Sequence, residues 1–492
     1  MNANMTVEAL NFFPFDSSSL WVALPEIFLL SAIVVILLLD LFLTKGFKQL
    51  TYYLTQLSLL ITGILAFNLI GTEKTVIFSH SFVLDDMASV FKVFMAGASM
   101  VAMVYARHYL GVHKLFRGEF FTLVLLSVLG MMVMISGYSL LTLYLGLEIL
   151  SLSIYTLIAI ARERSDAVES ALKYFVLGAI SSGLLLYGMS MIYGISGSLN
   201  ISEIASFASS STLDARETLI VNFGLVFLVI GIAFKLGAVP FHNWVPDVYQ
   251  GSPTAVTMFL STVPKIAAVA MLVRILVDGL GAMQAYWSDL FMVLGILSIA
   301  LGSVVALLQT NIKRMLAYST ISHIGFILLG FATGVLSGYA SAVFYVLVYV
   351  LMSLAAFGVV ILLNKKGYEA DLISDYKGLS KHSPWFALMM LIVMFSMAGV
   401  PPFIGFYAKL FVLQQVISAG FITLAVIAVV FAVISAYYYL QIIRSMYFDE
   451  SDAQASIEAP MEMQTVLSIN AILILAVGLF PDFWMQLAKS LF

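Results

Sequence analysis

The stretch from Phe234 to Thr254, FKLGAVPFHNWVPDVYQGSPT, decides the fold because it interrupts a long apolar segment. It places Lys235 inside apolar sequence and follows it with small residues and Pro240. A proline in a helical segment removes a backbone donor and clashes with the preceding turn, so we expect the helix to break here. At membrane depth, a break is tolerated only where the backbone is buried in protein or lines a wet cavity, and a charge beside it is expected to be functional.

The composition of the whole chain is that of a membrane protein. Of its 492 residues, 62% are hydrophobic and only 10% are charged, and the mean hydropathy is +1.05. Apolar runs of about 20 residues recur along the chain, which is the length that a transmembrane helix needs, and they lack the alternation of an outer-membrane barrel. We therefore predict an all-α polytopic membrane protein with about fourteen transmembrane helices. The first run has no basic region before it, so no cleavable signal peptide is predicted.

The predicted spans are separated by short polar loops. Their residues are 22–43, 52–71, 85–106, 119–137, 139–161, 168–195, 218–250, 254–278, 289–309, 312–334, 337–363, 384–418, 421–447 and 464–488. Span 7 is broken near Pro240 and span 12 at Pro401-Pro402. Fourteen of the loop lysines and arginines fall on one side and three on the other. This bias predicts that the first side is cytoplasmic and that both termini lie on the periplasmic side.

An internal repeat relates the two breaks. Phe234–Pro240 is similar to Phe395–Pro401, an offset of 161 residues that pairs Lys235 with Ser396. Three further residues recur at an offset of 171: Ala171, Tyr174 and Ser182 match Ala342, Tyr345 and Ser353. Spans 4–8 and 9–13 would then be two five-helix units that enter the membrane from opposite sides, as in transporters whose broken helices carry the ion site. The predicted units are 1–118 (spans 1–3), 119–280 and 288–448 (the repeats), and 449–492 (an acidic loop and span 14).

Three lysines lie too far inside their spans to reach water easily: Lys235, Lys265 and Lys409. An uncompensated charge at this depth is strongly unfavourable, so each must be neutral, hydrated or paired. Glu148, near the middle of span 5, is the predicted partner of Lys235. The alternatives are a static ion pair at Lys235 and snorkelling to the outer surface at Lys409. Otherwise the three lysines could form a lateral row joined by water and hydroxyl groups.

Two histidines are candidates to relay protons, because imidazole titrates near neutral pH. His323 lies in the middle of span 10, and His242 lies just past the break in span 7, where its alternative role is to cap freed backbone groups.

Other polar residues receive structural interpretations. Asp85 and Lys92 share a helix face and could pair, Asp247 is expected to act as a cap at the cytoplasmic surface, and Tyr437–Tyr439 is assigned to the interfacial belt. Lys92, Lys173 and Arg274 lie nearer span ends, where long side chains can snorkel to water. The charged loop 364–381 is expected to be solvated or to contact a partner.

The quoted stretch resembles the antiporter-like subunits of proton-pumping NADH:quinone oxidoreductase, respiratory complex I. LGLEILSLSIY (residues 145–155) and AGVPPFIGFYAKL (398–410) share this resemblance, which covers essentially the whole chain. The family pattern implies functional residues at Glu148, Lys235, Lys265, His323 and Lys409. A lysine at 409, and no long lateral helix after the last span, match the subunit N branch rather than subunits M and L.

The resemblance implies that this chain moves protons while NADH, FMN, iron–sulfur clusters and quinone are bound by partner subunits. The chain has no cysteine, which excludes cysteine-ligated clusters and disulfides, and it has no nucleotide-binding motif or metal-ligand cluster. Expected partners are a sister antiporter-like subunit, small membrane subunits and the lipid bilayer of a bacterial inner membrane, with no nucleic acid. The alternatives are a subunit of a multisubunit cation/proton antiporter without electron transfer, and a structural subunit whose buried charges have no transport role.

Overall fold

The structure is a computed structural model that describes residues 17–43, 48–210, 214–364, 369–450 and 459–492. Most of the predicted acidic loop, residues 451–458, lies outside these ranges. The described chain is almost entirely helical. The helices of the first half are α1 (Leu24–Phe42), α2 (Gln49–Phe67), α3 (Asp86–Val112), α4 (Gly118–Ser136), α5 (Leu140–Ile158), α6 (Ser165–Ser196), α7 (Ile201–Ala208), α8 (Ala215–Leu236) and α9 (Trp244–Gly251).

The helices of the second half are α10 (Thr254–Leu272), α11 (Gln284–Ala306), α12 (Ile312–Ala332), α13 (Leu336–Leu363), α14 (Leu379–His382), α15 (Pro384–Ala398), α16 (Ile404–Ser418), α17 (Ile422–Tyr447), α18 (Met461–Leu479) and α19 (Pro481–Lys489). A π-helical turn, Val273–Gly279, extends α10. The described strands are β1 (Thr75–Ile77) and β2 (Phe82–Leu84), which pair as an antiparallel hairpin between α2 and α3.

Thirteen of the described helical segments are long and apolar enough to cross a membrane. The shorter helices α15 and α16 together supply the broken span 12, so the all-α polytopic fold is confirmed. Most bounds differ from the prediction by a few residues, and two differences change the element order. The polar stretch after α6 contains the short helix α7, and span 14 ends at Leu479 because Pro481 starts the separate helix α19.

Both broken helices end at a glycine rather than at the following proline. Gly237 has φ +85° and donates its N–H to Ala233 O, and Gly399 has φ +87° and donates to Phe395 O. Glycine adopts this left-handed conformation without the penalty that a Cβ would add, and it is the usual residue just past a helix C-terminus. Lys235 therefore lies in the last turn of α8, nearer the break than predicted.

The two glycines correct the residue pairing within the predicted repeat. Gly237 and Gly399 occupy the same position relative to the ends of α8 and α15, at an offset of 162 residues rather than 161. The backbone equivalent of Lys235 is therefore Met397, not Ser396. The sequence match aligned the phenylalanines before each break, whereas the helix end is set by the glycine.

The middle of the bundle consists of helices with little exposed surface. The most apolar window is completely buried in α10 and 94% buried in α12, against 28% in α17. Close packing of α4 against α5 and of α11 against α12 depends on glycines. A Cβ on Gly130 would fall 2.6 Å from Leu150 N, and one on Gly302 would fall 2.6 Å from Ser322 N. Polar side chains on α10 and α12 are consequently far from both lipid and solvent.

The predicted pair of Asp85 and Lys92 is wrong. Asp85 pairs instead with Arg274, at 2.7 Å, and Lys92 Nζ lies 2.6 Å from Glu26 Oε1 on α1. Arg274 and Lys92 are buried, so neither snorkels to water. Each cation pairs with a carboxylate from a distant part of the chain. The spacing of charges along α3 alone could not reveal these pairs.

Asp247 is not a helix cap. Its carboxylate pairs with Lys173 of α6 at 3.0 Å and with Arg314 of α12 at 2.8 Å, so it ties α9 to two other helices. Lys173 is partly exposed and also pairs with Glu169.

The loop after α13 is not simply solvated. Glu369 accepts hydrogen bonds from Tyr109, Arg164 and Lys313, while Lys313 also pairs with Asp371 at 2.9 Å. We call these residues the Glu369 cluster.

Candidate functional site

Lys235 lies at the end of α8 and faces α5. Its Nζ donates a hydrogen bond to Ser151 Oγ at 2.7 Å, and the rings of Tyr174 and Tyr155 lie 5.6 and 6.0 Å from the amine. Lys235 is 8% exposed. Aromatic faces attract a cation, so the pocket can hold the ammonium form even though it is buried.

Glu148 is near Lys235 but forms no direct ion pair with it in the described structure. Ser151, three residues further along α5, occupies the place nearest the amine. Glu148 lies on the same face of α5 as Leu141, Leu145 and Leu152. These three leucines are each more than half exposed, so this face points outward. Its Oε1 is nevertheless buried and has no hydrogen-bond partner. A buried carboxylate oxygen without a partner is unusual and calls for a functional explanation.

Lys265 reaches from α10 to the broken end of α8. Its Nζ donates to Leu236 O at 2.8 Å and to Lys235 O at 3.2 Å, and it lies 5.4 Å from the Trp244 ring. These carbonyls have no partner within α8 because the helix ends there. They also carry the partial negative charge of a helix C-terminus, which favours a cation.

Lys409 makes the same contact at the second break. It lies on α16, and its Nζ donates to Met397 O at 2.9 Å and to Ala398 O at 3.0 Å, the last two carbonyls of α15. The side chain is buried and does not snorkel to the outer surface. At the first break the lysine is Lys265, which belongs to the following span. At the second break it is Lys409, which belongs to the broken span itself. Both amines nevertheless contact equivalent carbonyls.

Lys235 and Lys265 line one small cavity, together with Tyr174 and Trp244. Its volume is about 10 Å³, which is about what one water molecule requires.

His323 lies at the centre of a group of hydroxyls between the two breaks. Its Nδ1 lies 2.8 Å from Tyr345 Oη and its Nε2 lies 3.1 Å from Tyr439 Oη. Tyr349 packs against the imidazole, bonds Thr320 and donates to Ser261 O on α10. Hydroxyl groups both donate and accept hydrogen bonds, so this group can pass protons.

A phenyl ring separates this group of hydroxyls from Lys409. Phe326 stacks on Tyr345 with ring centres 5.9 Å apart, and Lys409 Nζ lies 5.8 Å from the Phe326 ring. The described contacts therefore bring Lys409 near the group without a hydrogen bond between them.

The interpretation of Tyr437–Tyr439 as an interfacial belt is wrong for two of the three residues. Tyr438 and Tyr439 are each 1% exposed, whereas Tyr437 is 62% exposed. Successive helix positions point in different directions, so one of three adjacent tyrosines faces outward while the others enter the core.

His242 is not brought into the row of lysines. It lies in the break between α8 and α9, half-buried, and its backbone carbonyl accepts the Val245 N–H. Its Nδ1 is buried without a hydrogen-bond partner.

Sequence reasoning gave no role in the site to Ser151, Tyr345, Tyr349 or Tyr439. A signal existed for Tyr345, because it is the repeat match of Tyr174, and Tyr174 contacts Lys235. Ser151 and Tyr439 carried no comparable signal. Within the described ranges, no group of three or more histidines and carboxylates is placed to hold a metal ion.

A helical membrane bundle with two broken helices, each ending on a buried lysine amine, defines the class of antiporter-like membrane subunits. Comparisons with known proteins narrow this class. The model of the family "NADH:quinone oxidoreductase/Mrp antiporter, TM" matches residues 137–435. NADH-quinone oxidoreductase subunit N of Ruthia magnifica subsp. Calyptogena magnifica is 79% identical over 98% of this chain and 100% of that protein. Subunit N of Thioalkalivibrio sulfidiphilus is 48% identical over 99% of both chains.

Comparison with solved structures points to the same family and fold. A chain of respiratory complex I from Thermus thermophilus with bound aureothin has a TM-score of 0.81 at 30% identity and covers 94% of this chain and 99% of its own. The Mrp complex from Dietzia sp. has a TM-score of 0.83 at 20% identity, covers 96% of this chain and 97% of its own, and shows the shared fold alone. This chain belongs to the NADH-quinone oxidoreductase subunit N family. It is a multi-pass membrane subunit of a multisubunit enzyme complex, and the cofactor-binding partners are in other subunits.

Proposed function

We propose that this chain moves protons across the bacterial inner membrane, driven by electron transfer from NADH to quinone in partner subunits. Glu148, Lys235, Lys265 and Lys409 carry the protons, with His323 between the lysines. NADH, FMN, iron–sulfur clusters and quinone bind those partners. The names of the relatives support the link to NADH and quinone. The excess of loop cations on one side supports termini on the periplasmic side.

One observation carries the proposal: two buried lysine amines contact the terminal carbonyls of two broken helices. Burial disfavours the ammonium form, and the negative end of a helix favours it. Because these effects oppose each other, a modest change in nearby charge can load or release a proton. A lysine that served only packing would not need this balance.

The contacts support a direction of transfer. A proton enters from the cytoplasm to Lys265, which shares a one-water cavity with Lys235. A change at Glu148 alters the proton affinity of Lys235. From the hydroxyls around His323 the proton passes by way of water to Lys409, because Phe326 between them carries no polar group. Lys409 releases the proton to the periplasmic side. His242 stays outside this path because none of its described contacts reaches the row.

Glu148 is the point at which a partner acts on the row. Its side chain belongs to the exposed stripe of α5, and one of its oxygens has no hydrogen-bond partner in the part of the chain that the structure describes. We assign this stripe to contact with the sister antiporter-like subunit. A cation brought close to Glu148 would weaken its attraction for Lys235.

A cation/proton antiporter without electron transfer is the second candidate, because the matching family model covers both kinds of protein. Relatives of 79% and 48% identity over nearly the whole chain favour the oxidoreductase. Co-purification separates the two: the oxidoreductase requires partners with flavin and iron–sulfur absorbance. Purification with small membrane subunits alone would favour the antiporter.

Substitution of Lys235 tests the proton-carrying role. Arginine keeps the charge but does not deprotonate in proteins, so Lys235→Arg should lower NADH-driven proton pumping by at least about tenfold in assembled complex, as should Lys235→Ala. The matched control is Lys173→Arg. Lys173 is partly exposed and forms ion pairs, and complex with this substitution should pump protons normally. If Lys235 were only part of a static ion pair, arginine would preserve pumping, and that result would reject the proposal.

A further inference from the structure

A pocket at the basic side of the bundle is separate from the row of lysines. It has a volume of about 630 Å³ and lies between the α3–α4 and α5–α6 linkers, at residues 113–117 and 160–164. We call it the linker pocket. Leu115, Ile160 and Ala161 contribute buried apolar side chains to it.

The linker pocket is positively charged. Its lining contains Lys114, Arg117, Arg162 and Arg164, against one carboxylate, Glu163. Arg164 already pairs with Asp166 and Glu369. The other three cations form no ion pair in the part of the chain that the structure describes. Three exposed cations without ion pairs around one concave space create a positive potential, which attracts anions.

The backbone at Lys114 is held in an unfavourable conformation. Its φ is +58°, a value that favours glycine, because it follows the C-terminus of α3 at the position where helices usually end on glycine. Glycine would satisfy this turn with less strain. Strain retained at one residue is a sign that its side chain has a role, and here the side chain is a cation of the pocket.

A second polar group in the linker pocket lacks a partner. The His113 ring packs against Tyr109 with ring centres 4.2 Å apart, and His113 Nε2 is buried with no hydrogen-bond partner among the described residues. A buried polar atom without a partner is unusual in a folded protein and calls for an explanation at this wall of the linker pocket.

The surroundings favour an amphiphile over a free ion. The helix α6 begins one residue past the pocket and exposes Val168 and Leu172 one turn apart, so apolar surface continues into the membrane layer. Basic pockets between helices on the cytoplasmic side bind anionic headgroups. We propose that the linker pocket binds the phosphate headgroup of an anionic phospholipid, with its acyl chains along α6.

The test uses assembled complex in nanodiscs of phosphatidylcholine containing traces of photoactivatable phosphatidylglycerol. The wild type should crosslink this lipid to residues 113–117 and 160–164. The double variant Lys114→Gly, Arg162→Gln removes two cations, and glycine at 114 suits the existing backbone. Each cation near a membrane surface contributes about a fivefold effect, so the apparent affinity should fall by about 25-fold.

Two matched variants control for general effects of charge. Lys381→Gln removes an exposed cation of the same predicted side, away from the pocket, and should leave crosslinking unchanged. Glu163→Gln removes the one lining carboxylate and should strengthen crosslinking by about the same factor as one cation. If the double variant fails to assemble, Arg162→Gln alone still predicts a fivefold loss. NADH-driven pumping should be unchanged in all of them.

Three results would overturn the proposal. Full competition by inorganic phosphate would make the linker pocket a free-anion site. Equal crosslinking of phosphatidylcholine would show that the headgroup charge is not recognised. Crosslinks from these linkers to another subunit, with no lipid label, would show that protein covers the pocket.

Discussion

At the scale of single residues, the contact between a lysine amine and the end of a broken helix is the main device of this chain. Lys265 and Lys409 satisfy carbonyls that a helix end leaves without partners, and the carbonyls stabilise a charge that burial would otherwise exclude. The lysines were predictable from sequence because charges are rare inside apolar spans. Their contacts with carbonyls were not, since carbonyls leave no trace in the sequence.

Gly399 should be sensitive to substitution because it both ends α15 and contacts Lys409. A Cβ there would lie 3.1 Å from Lys409 Cδ, and the left-handed backbone penalises it. Gly399→Ala should destabilise the complex by about 1–2 kcal/mol in thermal unfolding and reduce pumping. Gly97→Ala is the control: this site on α3 has φ within the helical range and no neighbouring atom within 4 Å, so stability should not fall.

Substitution of Tyr439 should affect proton pumping and stability, whereas substitution of the nearby Tyr437 should not. Tyr439→Phe removes the hydroxyl that contacts His323 and Ser319. It should slow NADH-driven pumping several-fold and lower stability by about 1 kcal/mol. Tyr437→Phe, at an exposed position two residues away, should change neither. Equal effects of the two substitutions would contradict the inward position of Tyr439.

At the scale of elements, the Glu369 cluster joins parts that lie far apart in the chain. Tyr109 of α3 donates to Glu369 and accepts the N–H of Thr254, the first residue of α10. Lys313 of α12 and Arg164, just before α6, also donate hydrogen bonds to Glu369. The loop after α13 thus holds the first residues of the helices that carry Lys265 and His323. Sequence reasoning assigned this loop to solvent or to contact with a partner, because its charges carry no sign of the residues with which they pair.

Removal of the Glu369 charge should loosen this cluster. Glu369→Gln leaves buried Lys313 with Asp371 alone and should lower the free energy of unfolding by about 2–3 kcal/mol. Thermal unfolding of the purified complex measures this. Glu169→Gln, whose carboxylate is two-thirds exposed, is the control and should have little effect. A loss as small as the control's would show that the cluster is not stabilising.

The same cluster predicts a dependence on pH. Burial raises the pKa of Glu369, but Lys313, Tyr109 and Arg164 together outweigh burial and hold it below its ordinary value of 4.5. A lowered carboxyl pKa means that the stabilisation is complete above pH 4.5 and is lost as the pH falls through the lowered value. The difference in stability between wild type and Glu369→Gln should therefore shrink in acid.

At the scale of the whole molecule, the two most buried of the thirteen described spans carry two of the proposed relay residues. Lys265 on α10 and His323 on α12 lie where lipid and solvent are absent, while α6 and α17 present apolar surface outward. The offset of 162 at the breaks and the glycine-packed hairpins α4–α5 and α11–α12 support the predicted inverted repeat. The unit boundaries 119–280 and 288–448 remain a prediction.

The orientation can be tested directly because the chain has no cysteine. Ser490→Cys near the C-terminus should react with a membrane-impermeant maleimide in spheroplasts, from the periplasmic side. Lys381→Cys should react only after the membrane is opened. The reverse pattern would contradict the orientation inferred from the loop cations.

The sequence by itself determined the helical membrane fold, the breaks near Pro240 and Pro401 and the buried lysines, because these depend on local hydropathy, backbone chemistry and charge. The tertiary structure alone decided the partners. It placed Ser151 rather than Glu148 on Lys235, Glu26 rather than Asp85 on Lys92, and Tyr439 on His323. Partners come from helices far apart in the chain, and which face of each helix turns inward is decided only when the helices pack.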